Sequence, residues 1–88
     1  MDEKFFDRIL ARADLYTETL PGTTLVELVG NSRVLIENHR GVTVYGCSEI
    51  CINGSNGPLC IRGQKLELAR MTRQQLVIVG RIDCISIA

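Results

Sequence analysis

The stretch from Glu49 to Arg62, EICINGSNGPLCIR, constrains this chain more than any other. Folded about the Ser55–Asn56 midpoint, it sets Ile50 opposite Ile61 and Ile52 opposite Leu59. On the other face Cys51 falls opposite Cys60, and Glu49 opposite Arg62. Its centre, Gly54-Ser55-Asn56-Gly57, is built of residues that accept tight turns and positive φ. Apolar side chains on one face and a charge pair on the other are what a β-hairpin register requires.

The same alternation runs through residues 23–88, which read as one all-β domain. Apolar pairs recur at Val26/Leu28, Val34/Ile36, Val42/Val44, Ile50/Ile52, Leu59/Ile61, Leu66/Leu68, Leu76/Ile78 and Ile85/Ile87. Turn-forming residues separate them, and β-branched residues dominate. The pattern predicts a small antiparallel β-sandwich of about eight short strands. Turns are expected at Gly30-Asn31-Ser32, at Asn38-His39-Arg40-Gly41, at Gly46-Cys47-Ser48 and at Gly63-Gln64, with the longest connection at Ala69–Gln75. A β-solenoid has a similar rhythm, but would not need the paired charges and cysteines of the central hairpin.

Both ends depart from simple alternation. Residues 2–14 repeat apolar side chains at helical spacing, Phe5, Ile9 and Ala13 flanked by Phe6 and Leu10, and predict an N-terminal amphipathic helix. A connector follows, to Gly22, with Pro21 barring continuation of the helix. From Leu76 to Ile87, Val77 and Val79 are apolar as well as Leu76 and Ile78. Ile82 shares their even parity, whereas Ile85 and Ile87 do not. A bulge or bend near Gly80–Cys84 reconciles the two. Both faces of this strand call for cover, and the N-terminal helix is one candidate. An apolar terminal strand also invites pairing with another chain. Phe5, Phe6, Ile9, Leu10, Ile85 and Ile87 are therefore the candidate partner surface.

With 88 residues, ten basic and ten acidic, the chain is a single short domain without the basic excess of a nucleic-acid binder. So small a core favours self-association into a homo-oligomer. No apolar run approaches the length of a membrane span, and the charged N-terminus is no signal peptide. A cytoplasmic location is expected, where thiols stay reduced.

Chemistry-bearing residues are few. The cysteines at 47, 51, 60 and 84 form no C-x-x-C knuckle of the kind zinc modules use. Cys51 and Cys60 face each other within disulfide range and form a candidate redox pair; in a reducing compartment two thiols are expected. His39, at a predicted turn with no second histidine, reads as solvated. The glycines mark turns and form no phosphate-binding loop. Arg70, Arg73 and Arg81 form a basic rim whose alternative use is an anionic partner. No carboxylates are spaced for acid–base work. The chain is expected not to be an enzyme and to need no cofactor.

The segments RVLIENHRGVTVYGCSEICI and GPLCIRGQKLELARMTRQQLVIVGRIDCISI resemble the YabP/YqfC family of sporulation proteins, particularly its YqfC-like branch. The likeness rests on the IENHRG turn, on G-x-L-x-I-x-G-x-x-L-x-L at Gly57–Leu68, and on L-x-I-x-G-x-I-x-x-I at Leu76–Ile85. It runs from about Leu20 to Ile87. The resemblance implies a β-sandwich protein made in the mother cell of endospore-forming bacteria, with a membrane-associated protein as plausible partner. It supplies no active-site residues. Two functions are thus expected to compete: a non-enzymatic assembly protein, and a small ligand- or metal-binding module using the cysteines and His39.

Overall fold

The computed structural model describes residues 22–87. The expected N-terminal helix, with Phe5, Phe6, Ile9 and Leu10, lies outside the described residues. Six strands follow in order: β1 (Leu25–Val29), β2 (Arg33–Glu37), β3 (Val42–Tyr45), β4 (Glu49–Gly54), β5 (Gly57–Met71) and β6 (Gln75–Ile87). They form one open antiparallel sheet in the order β1-β2-β6-β5-β4-β3. This corrects the sandwich of eight short strands, and it is no solenoid. The count falls to six because two pairs of short strands merge. Leu59/Ile61 and Leu66/Leu68 both lie on β5, and Leu76/Ile78 and Ile85/Ile87 both lie on β6.

The hairpin at Glu49–Arg62 forms in the register read from the sequence. Ile50 faces Ile61, Ile52 faces Leu59, Cys51 faces Cys60 and Glu49 faces Arg62. Leu28 likewise pairs with Val34 across the β1–β2 turn, and the Gly46 amide bonds to the Glu49 carbonyl at the β3–β4 turn.

The Gly63-Gln64 turn does not form. Both residues lie within β5, where Gly63 pairs with Ile82 and Gln64 with Arg81. Gly63 is needed for close approach rather than turning. A Cβ there would run into the Arg81 carbonyl group, whose carbon would lie 2.9 Å away. On the facing strand Gly80 has φ +134, and a Cβ there would sit 2.6 Å from the Lys65 carbonyl oxygen. Two strands crossing this tightly can bend together where side chains would hold them apart. Register shifts flank the glycines: Arg62 pairs with Cys84 but Gly63 with Ile82, and Gln64 pairs with Arg81 but Glu67 with Val79. The first leaves Asp83 as an extra residue on β6, inside the segment where the parity change predicted a bulge. The second switches the buried face of β5 from Leu59 and Ile61 to Leu66.

The bend lets two halves of one sheet share a core. One half holds β3, β4, the first part of β5 and the last part of β6; the other holds β1, β2 and the remaining parts of the same two strands. Val34, Ile36, Leu76 and Ile78 from one half pack in a single cluster with Ile50, Ile52, Leu59 and Ile61 from the other. The even–odd alternation of strands delivers these side chains to one face.

Asn38–Gly41 was expected to close a β2–β3 hairpin. Instead β2 pairs with β6, and β3 lies at the opposite edge of the sheet. These residues form a crossover between the halves, held by hydrogen bonds to both. The Asn38 amide donates to the Gln74 carbonyl at 2.6 Å, and the Asn38 side-chain amide to the Thr23 carbonyl at 2.9 Å. The Arg40 amide donates to Asn53 O at 2.8 Å, and the Asn53 amide to Gly41 O at 2.9 Å. Asn38 takes φ +61, a conformation its short polar side chain tolerates better than most.

Candidate functional site

His39 sits on this crossover and is buried, only 8% exposed, which corrects the solvated turn residue expected. Its Nε2 lies 2.8 Å from the Thr72 carbonyl oxygen, and the Gly41 amide donates to its Nδ1 at 3.1 Å. A carbonyl can only accept and an amide N–H can only donate. The ring therefore carries its proton on Nε2 and ties the crossover to the β5–β6 turn. Both nitrogens are engaged, so His39 holds the fold and has no free lone pair for a metal. No sequence signal distinguished it from a surface histidine, because its partners are backbone groups 2 and 33 residues away in the chain.

The cysteines divide. Cys51 and Cys60 are joined by a disulfide across β4 and β5, their Cα atoms 4.1 Å apart. The expectation of two free thiols gives way to direct opposition in the ladder, which brings the sulfurs together. Cys47 and Cys84 are free and exposed. Glu49 stands one row along from the disulfide. Its carboxylate and the two sulfurs lie within 4.8 Å of one another, a three-donor set. Arg62 Nε donates to Glu49 Oε2 at 2.8 Å, and Arg62 Nη1 reaches Ser86 Oγ at 3.3 Å. This outer face is thus polar from β4 across β5 to β6, with its carboxylate already paired to a guanidinium.

The last part of β6 has a different character. β2 pairs with β6 over Gln75–Val79, and the β1–β2 turn adds bonds from the Gly80 amide to Ser32 O and the Ile82 amide to Asn31 O. Beyond that, and past the bulged Asp83, Cys84–Ile87 pair with β5 alone among the described residues. The other side of this segment is an open edge. Its start is guarded by the bulged Asp83, whose carboxylate meets Arg81 Nε at 3.1 Å; charges and bulges are common edge protections. Its end is unguarded. Ile87 is 76% exposed and lines a shallow cleft of about 90 Å³ with Val26 and Leu59. Ile85 is half buried and packs on the core. The two candidate partner residues share one face of β6, opposite the core residues Ile61 and Leu59; Ile85 is covered there, while Ile87, at the open end of that face, is not.

An apolar surface that sequence reading only partly anticipated lies on the outer face of β1, β2 and the first part of β6. Leu35 and Val77 are directly paired and half buried, with Leu25 and Val29 exposed beside them. The signal was present in the unbroken Val34-Leu35-Ile36 run and in Val77 and Val79. Strands apolar on both faces need cover on both.

No helix among the described residues is long and apolar enough to cross a membrane. No curated protein and no solved structure matches the chain. A model of the YabP family matches residues 22–87, the whole of the described sheet. With the IENHRG segment serving as the crossover and the two glycine-centred motifs as the bend, this chain belongs to the YabP family, a membership that fits a sporulation-associated protein.

Proposed function

We propose that this chain is a non-enzymatic assembly protein of sporulation. It acts in the mother cell by binding a protein partner, itself membrane-associated, through the open edge at Asp83–Ile87. The observation that carries this reading is that edge: strand backbone paired on one side only among the described residues, ending in an exposed Ile87 beside an apolar cleft. Such an edge can accept a strand from another chain, the backbone supplying affinity and alternate side chains the selectivity. Family membership supports the sporulation setting. A second copy of the chain is an alternative occupant of the same edge, giving a homo-oligomer.

Affinity capture from sporulating cells, comparing the intact chain with Ile87→Lys, tests the proposal. A lysine at an edge disfavours strand addition while leaving the buried core untouched. One specific partner, recovered with membranes by the intact chain and lost with the variant, is expected. Equal recovery by both would refute the edge as the binding surface. Light scattering of the purified chain separates self-pairing from a heterologous partner.

The cysteine reading retains one observation, the Glu49–Cys51–Cys60 donor set. It requires the reduced pair, since disulfide sulfurs are not thiolate ligands. Elemental analysis of protein reduced and purified without chelator is the test; less than stoichiometric metal removes it.

A further inference from the structure

The outer face of β1, β2 and the first part of β6 carries a groove of about 250 Å³. Leu25, Leu35 and Val77 supply its apolar lining, with Glu27 and Glu37 on the β1–β2 side and Arg70 on the β5 side. Gln75 Nε2 reaches Glu37 Oε1 at 3.4 Å across it, so these polar groups share the outer face. Two central strands here are apolar on both sides, yet only the inner side is covered among the described residues.

We propose that residues 2–14 of the same chain dock in this groove as an amphipathic helix. Three features select that occupant. As a helix, residues 2–14 would run about 20 Å, with the apolar stripe Phe5, Phe6, Ile9, Leu10 and Ala13 taking about 13 Å of it, a match to strands of about 17 Å. Its flanks are charged oppositely. At 3.6 residues per turn Arg8 and Arg12 border the stripe on one side, and Glu3, Asp7 and Asp14 on the other. The groove's own charges are arranged to match, with Glu27 and Glu37 toward the basic flank and Arg70 toward the acidic one. The tether also suffices. Residues 15–21 span up to about 23 Å when extended, enough to cross four strands spaced about 4.8 Å apart, and the chain joins the sheet at Leu25, on the rim of the groove. Docked in this way, Phe5, Phe6, Ile9 and Leu10 turn inward, and the edge at Asp83–Ile87 is left as the surface for other chains. The inference does not depend on that edge having a partner.

The full chain tests it, with Cys47 and Cys84 replaced by serine to remove the free thiols. Adding Ile9→Cys and Val77→Cys should give, under mild oxidation, a crosslink within one chain, seen as an unchanged monomer mass with both thiols lost. Ala11→Cys, on the polar side of the helix, paired with Val77→Cys, should give none. In a second measurement, a thiol reagent should modify Val77→Cys at least about tenfold faster when Phe6→Asp and Ile9→Asp are present. Crosslinked dimers would mean that a second copy fills the groove and would overturn docking within the chain. Equal crosslinking by the Ala11 pair, or an unchanged modification rate, would overturn it as well.

Discussion

Replacing Gly63 with alanine should damage the fold far more than its exposed neighbourhood suggests. Gly63 is mid-strand, flanked by the exposed Arg62 and Gln64. An added Cβ would overlap the Arg81 carbonyl group and lie 3.3 Å from Ile82 Cα. Overpacking usually costs about 1–3 kcal/mol, because side chains shift to make room. Here the obstacle is main chain, held by ladder pairing with β5. Relief means separating β5 from β6 at the bend on which the shared core depends, so about 3 kcal/mol is expected. With a urea dependence of about 1 kcal/mol per molar for a domain of this size, the denaturation midpoint should fall by about 3 M, or the chain should fail to fold. Gly46→Ala is the matched control. Its Cβ would meet only the Glu49 carbonyl oxygen, at 3.5 Å, and the midpoint should move by less than about 0.5 kcal/mol equivalent. If Gly63→Ala and Gly46→Ala unfold at the same urea concentration, the strands do not cross this closely and the bend is wrong.

Four further outcomes follow from named contacts. His39→Ala strands the Thr72 carbonyl and the Gly41 amide in a buried place; a loss of about 1–3 kcal/mol, a Tm drop of roughly 5–15 °C, is expected by thermal denaturation. Ile78→Ala, at a fully buried position, should cost about 2–5 kcal/mol in the same assay. Glu49→Gln breaks an ion pair that is half exposed on both sides and should cost no more than about 1 kcal/mol. Thiol titration of the folded, unreduced chain should count Cys47 and Cys84 only, and all four cysteines after reduction in denaturant.

The sequence was legible wherever the determining interactions are local. Residues opposed across a short turn, Ile50 and Ile61 or Leu28 and Val34, declare their register by alternation alone. The bulge on β6 was legible too, because Ile82 and Ile85 differ in parity. What could not be read is pairing at a distance. Asn38–Gly41 has the composition of a hairpin turn, and only the preference of β2 for β6 makes it a crossover. Gly63 likewise looks like the first residue of a turn, since a glycine needed for close approach and one needed for turning are the same letter. Of the candidate site, the apolar terminal strand was visible in IDCISIA. That Ile85 is covered while Ile87, on the same face, stays exposed depends on where the core ends, which alternation does not mark. His39 was misread because its partners are carbonyl and amide groups, which every residue carries.

Strand adjacency is the claim from which the bend, the crossover and the open edge of β6 all derive, and nuclear Overhauser contacts measure it directly. The structure requires cross-strand contacts between Leu35 and Val77 and between Val34 and Ile78, with none between β2 and β3. Contacts of Glu37 with Val42 and of Leu35 with Val44, the pattern of a hairpin closed at Asn38–Gly41, would contradict the topology and with it the edge proposed to bind a partner.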